Sequence, residues 1–180
     1  MAVRYPFGPD KGLLETNVGA VDSYSAAEED GGAAFHRTTL ALTGALGAIA
    51  GGAALGVGRL LYTFPAGAIR VVSAYFNGVA ITQSEANITA DTPDVGLGTV
   101  IASGDVEILS GTGTFESILT GQTFADCDGT ATLAGAASSL VIDAADAHTV
   151  YLNVAATWAA SGDAAATISG EVILTWEFLG

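Results

Sequence analysis

After Arg70 the chain contains neither lysine nor arginine, although thirteen Asp and Glu follow. That absence excludes Lys or Arg ion pairs within residues 71–180. Their carboxylates are therefore expected in water, because a buried, unpaired carboxylate is too costly. The five basic residues, Arg4, Lys11, Arg37, Arg59 and Arg70, all lie in the first seventy positions, where six acids nearly balance them. With a formal net charge of -14, the surface suits neither a phosphate backbone nor anionic lipid, so no nucleic-acid and no membrane partner is expected. Adaptation to a salty medium gives the same asymmetry and stays open beside a functional reason. Cysteine is nearly absent too. Cys127 alone excludes an intramolecular disulfide framework and a zinc cluster. The start, MAVRYPFGPDKG, lacks the apolar core of a secretory signal, and synthesis in a reducing cytoplasm is the expectation.

One long run lacks charge altogether: residues 40–58, LALTGALGAIAGGAALGVG. Its length approaches the roughly 20 residues of a membrane span, and its glycine spacing resembles that of packed membrane helices. Six of these residues are glycine, each costing on the order of 1 kcal/mol in a helix interior. The six large aliphatics return only about 0.3–0.6 kcal/mol each on insertion. The balance disfavours a span. Instead TTLALT alternates like a strand, GAIAGGA reads as a connection, and LGVGRLLYTF resumes as strand, with Gly58 placed for a bulge. Small side chains there also suit a close subunit contact.

Half of the 180 residues are hydrophobic, enough for one domain with a sizeable core. Residues 1–36, with Pro6, Pro9 and the acidic run Glu28-Glu29-Asp30, show no sustained period and read as an extended N-terminal arm. Within it Arg4, Tyr5, Phe7 and Lys11 are candidate anchors on a partner surface; a disordered tail is the alternative. From residue 37 to 180 a period of two prevails. Val172, Leu174, Trp176 and Phe178 share one face, as do Val150, Leu152 and Val154 with Tyr151 and Asn153 opposite. Leu60, Tyr62 and Phe64 repeat it, followed by Ile69, Val71, Ser73 and Tyr75, and Asp105–Ile108 alternates likewise. Turn signals recur at Asn77-Gly78, Thr92-Pro93-Asp94, Ser103-Gly104, Ser110-Gly111, Asp128-Gly129 and Ser161-Gly162-Asp163. Many short alternating strands between such turns predict an all-β fold, an antiparallel β-sandwich of jelly-roll type, carrying the arm.

No pattern carries catalysis. There is no G-x-S-x-G elbow, H-E-x-x-H, phosphate loop or complete dinucleotide fingerprint, so neither catalytic residues nor a cofactor is expected. Asp143, Asp146 and His148 offer oxygen and nitrogen donors, but DAADAH reads better as a turn before a strand. Asp126 and Asp128 around Cys127 match only a fragment of a calcium loop, and a turn is again the better reading. No metal is assigned. Trp158 and Trp176 with Tyr75 and Tyr151 are the residues a sugar-stacking platform would use, although Trp176 sits on an apolar strand face that favours core packing.

Three stretches carry a resemblance: LLYTFPAGAIRVVSAYFNGV, TADTPDVGLGTVIASGDVEILSGTGTFESILTGQT, and HTVYLNVAATWAASGDAAATISGEVILTWEFLG. Together they resemble virion structural proteins of tailed double-stranded DNA phages, in texture rather than by a functional motif, over most of residues 37–180. Size, β-rich body and front arm are similar to capsid decoration, or cement, proteins. The resemblance implies a trimer or other small homo-oligomer on the capsid exterior, made in the host cytoplasm, with the major capsid protein as partner and no reaction to catalyse. A tail, fibre or connector component, or a carbohydrate- or receptor-binding module, is the alternative, and a glycan hydrolase a more distant one.

Overall fold

Val172, Leu174 and Trp176 are fully buried, each projecting from one face of a twelve-residue strand, Thr167–Phe178. Burial of each such side chain contributes about 1.5–3 kcal/mol, and this strand runs through the middle of its sheet. In the computed structural model the described residues are 20–21, 25–31, 35–46, 55–82, 88, 91–130, 132–136, 140–158 and 166–180. They form eleven strands: β1 (Ala20–Val21), β2 (Ser25–Gly31), β3 (Phe35–Ala45), β4 (Gly56–Thr63), β5 (Ile69–Thr82), β6 (Asp94–Gly98), β7 (Leu119–Thr123), β8 (Leu133–Ala136), β9 (Leu140–Ile142), β10 (Thr149–Ala155) and β11 (Thr167–Phe178). The protein is all-β, as its alternation predicted.

The strands make two antiparallel sheets. One runs β2-β3-β11-β5-β8, with β9 also on β5; the other runs β1-β4-β10-β6-β7. Thus β3 pairs with β11, β4 with β10, β5 with β8 and β9, and β6 with β7. This is the order obtained by rolling one long hairpin into two layers, the jelly-roll arrangement. One hydrophobic cluster fills the space between the layers: Leu40, Phe76, Val172 and Leu174 from the first sheet, and Val95, Leu97, Val150, Leu152 and Val154 from the second. An aromatic chain crosses it. His36 stacks on Trp176 with centroids 3.9 Å apart, and Phe64 meets Trp176 and Tyr62 edge-on, each pair at 5.3 Å. The Trp176 indole N–H donates to the Thr38 hydroxyl at 2.8 Å, which supplies the partner a buried indole needs.

Several local expectations shift, each for an identifiable reason. β1 and β2 lie within the stretch read as an arm, yet β1 pairs with β4 and β2 with β3; backbone pairing at a sheet edge needs no strong side-chain period. Asn77-Gly78 is a bulge inside β5 rather than a turn. Gly78 has φ +61° and faces Gly170 at φ +102°, and neither β8 nor β11 supplies a register partner for it. A Cβ on Gly170 would collide with the Gly78 carbonyl, so both strands need glycine where they cross. A second bulge, at Val72, reverses the phase of β5, so Ala74 and Phe76 point inward and Tyr75 outward. In β4 the bulge falls at Leu61, not Gly58.

The uncharged run divides between β3 and β4, and residues 47–54 lie outside the described ones. Among the described residues no helix is long and apolar enough to cross a membrane.

Candidate functional site

The two sheets differ on their outer sides. On the second, Gly58 of β4 and Gly96 of β6 flank Asn153 of β10 in one cross-strand row. With no Cβ on either side, the backbone of residues 99–118 can lie directly on the sheet. Asn153 fastens it there: its Oδ1 accepts from Ala102 N–H, and its Nδ2 donates to the carbonyls of Val100 and Phe115, all at 2.8 Å. A side chain on the face opposite the main core is thereby wholly buried. Ala102, Leu109 and Ala155, with Val106 and Phe115 against them, form a small second core beneath the covering segment. Asp105–Ile108 belongs to this segment and is not a strand. Its apolar contact comes from Val106, while Ile108 remains exposed.

At one end of this covered side lies a cleft of about 220 Å³, lined among others by Asp91, Asp94, Glu107, Ile108 and Thr157. Asp94 accepts from the Thr123 hydroxyl at 2.9 Å. The cleft's described lining offers carboxylates and the hydroxyls of Thr92 and Thr157.

Among the described residues, no segment covers the outer side of the first sheet. Phe35 (49% exposed), Val141 (53%), Tyr75 (38%) and Val72 (37%) stand on it. Strand register sets its rows: Arg70 and Phe35 either side of Glu177, Ser73 and Arg37 either side of Thr175, Tyr75 and Thr39 either side of Ile173. Arg70 forms an ion pair with Glu177, and the Asn77 amide donates to Glu171 at 2.8 Å. On β3, β11 and β5, Arg37 and Arg70 thus match Glu171 and Glu177, so the outward side chains of these three strands carry no net formal charge, while register places Glu28 and Asp30 of the edge strand β2 in the rows of Thr39 and Arg37. Among the remaining described side chains, Arg59 stands against nine carboxylates. The Arg59 Nε donates to Ala45 O at 2.8 Å, tying β4 to β3 across the layers.

The residues singled out from sequence are dispersed. Arg4, Tyr5, Phe7 and Lys11, the candidate anchors, lie outside the described residues. Asp143, Asp146 and His148 make a turn: Asp143 N–H donates to the Asp146 carboxylate at 3.1 Å, and the His148 ring pairs through Nε2 with Gly67 O at 2.6 Å. Asp126 and Asp128 also cap a turn, with Thr130 N–H donating to Asp128 at 2.8 Å. Hydrogen bonds from the Thr130 hydroxyl and backbone hold Asp128 below the usual carboxylate range. Among the described residues no group of three or more His, Cys, Asp or Glu side chains is placed to hold a metal ion.

Cys127 is buried. Burial first, then the nearby carboxylates of Asp91, Asp126 and Asp128, push its thiol up to about 12, leaving it neutral and a poor nucleophile. Trp158 and Trp176 are both buried, Trp158 donating to Leu55 O at 2.8 Å, so the stacking platform does not form. The covered side was missed, although glycines at alternate positions, Gly56 and Gly58 then Gly96 and Gly98, were a readable sign of close backbone approach. No family model, curated protein or solved structure matches this chain.

Proposed function

We propose that the protein is a structural virion component that binds the exterior of a phage capsid and braces neighbouring major capsid subunits. One observation supports this most: exposed Phe35, Tyr75 and Val141 stand on a sheet side whose strands β3, β11 and β5 balance two Arg against two Glu, on a body that is otherwise strongly acidic. Acidic surfaces repel one another and repel packaged DNA, so attachment is favoured through the charge-balanced strands β3, β11 and β5 with the bulk of the carboxylates turned outward. Exposed aromatics beside arginine are the composition of protein-contact anchors. The work is adhesion: a stiff two-layer body bridges subunits, and repeated modest contacts across a shell become durable through multivalency. A small homo-oligomer would multiply those contacts further.

The test is co-sedimentation of the purified chain with expanded, DNA-free shells stripped of it. Saturable co-pelleting, weakened by Tyr75→Asp, is the expected outcome. Absence of co-pelleting would overturn the reading. Assembly into sixfold or twelvefold rings would favour a connector or tail component instead, and glycan binding would favour a receptor-binding module.

A further inference from the structure

We propose that Asn77-Gly78 is a self-modification site, at which the Asn77 carboxamide converts to aspartate or isoaspartate without an enzyme. Of the four asparagines, Asn17, Asn77, Asn87 and Asn153, only Asn77 precedes glycine. Lack of a side chain on the next residue lets its backbone nitrogen reach the asparagine carbonyl. The fold leaves this dipeptide open. Asn77 and Gly78 are both exposed, a Cβ at Gly78 would meet nothing within 4 Å, and Gly78 stands out of register with both neighbouring strands. Asn153 is the internal contrast: wholly buried, its amide held by three hydrogen bonds, and followed by branched Val154.

The chemistry needs only water. The Gly78 backbone nitrogen, losing its proton to solvent base, attacks Asn77 Cγ. The new C–N bond closes a five-membered succinimide as the Cγ–Nδ2 bond breaks, and the leaving nitrogen takes up a proton and departs as ammonia. Water then opens the ring at either carbonyl, giving aspartate or, with the main chain routed through the side-chain carbon, isoaspartate. No oxidant or reductant takes part.

The location gives the change a consequence. Asn77 donates to Glu171 at 2.8 Å, so the new carboxylate replaces a donor with a like charge at contact distance, among strands whose outward charges otherwise balance. Weakened attachment of converted protein rests on the docking reading above; the conversion itself does not.

Incubation of the full chain at mildly alkaline pH, followed by ion exchange and peptide mass spectrometry, tests this. The expected result is an acidic species modified at Asn77 as both aspartate and isoaspartate. Its formation accelerates with pH and vanishes in Asn77→Gln, while peptides holding Asn17, Asn87 and Asn153 stay intact. Intact Asn77 in folded protein, under conditions where the urea-unfolded chain converts there, would overturn the proposal. Converted protein that binds stripped shells as well as fresh protein would leave the chemistry standing and overturn the assignment of the attachment face.

Discussion

The two outer faces of the sandwich are built from the same strand geometry and end in opposite states. Where β4 and β6 place glycine at outward positions, backbone can settle on backbone, and residues 99–118 seal the sheet through Asn153. Where β3, β5 and β11 place Phe35, Tyr75, Thr175 and Glu177 outward, the side chains hold other backbone away and no described segment covers the face. Outward side-chain size, more than strand pattern, decides which side of this fold is finished by its own described chain and which keeps its side chains exposed.

The largest effect is expected on the sealed side. Asn153→Ala leaves a buried N–H and two carbonyls without their partner, each worth about 1–3 kcal/mol, so a total loss of about 3 kcal/mol or more is expected in urea unfolding. Hydrogen exchange should show faster opening of residues 99–115 and little change in β3 and β11. Equal loosening of both sheets would break the contrast. Gly58→Ala comes next. Its Cβ would lie 2.5 Å from Asn153 Oδ1 and 2.7 Å from Ile101 Cγ1, and overpacking of this kind costs about 1–3 kcal/mol.

Alkaline pH probes the interior between the faces. An unfolded thiol ionises near pH 8.5 and the folded Cys127 only near 12. Below the lower value both states keep the proton and nothing is lost. As pH rises between the two, the unfolded state alone gives up its proton and stability falls. Cys127→Ala, though it brings its own cavity cost, should flatten this part of the pH–stability curve, and native Cys127 should resist alkylation until the chain is denatured. The smallest effect belongs to the face of β3, β5 and β11: Tyr75→Ser and Phe35→Ser should alter stability by no more than about 0.5 kcal/mol while reducing attachment to shells. A stability loss comparable to that of Asn153→Ala would mean that this face is internally finished after all.

Fold class was legible because period two survives wherever one side of a strand is buried: Val150, Leu152 and Val154, or Val172, Leu174 and Trp176, need no tertiary knowledge. Bulges are where the reading slipped. Val72 and Leu61 each add one residue, reversing every later side chain on the strand, and nothing in their identity announces it. Gly78 was read as a turn because Asn-Gly favours positive φ in a hairpin loop and in a bulge alike. Asn153 was placed opposite the apolar face of its strand, and alternation reports only which face a residue occupies; what covers that face is a tertiary matter. The alternation of Asp105–Ile108 reflected one half-buried residue, Val106, in an irregular segment. The candidate attachment face was illegible for the same reason, since Arg37, Arg70, Glu171 and Glu177 meet only through strand pairing of long sequence separation.

An electron-microscopy map of an intact particle, with this chain fitted into its density, tests the central claim most directly. The account predicts the chain outside the shell, with β3, β11 and β5 against the capsid and the acidic, sealed side toward solvent. Density in the tail or a fibre, or residues 99–118 facing the shell, would contradict it.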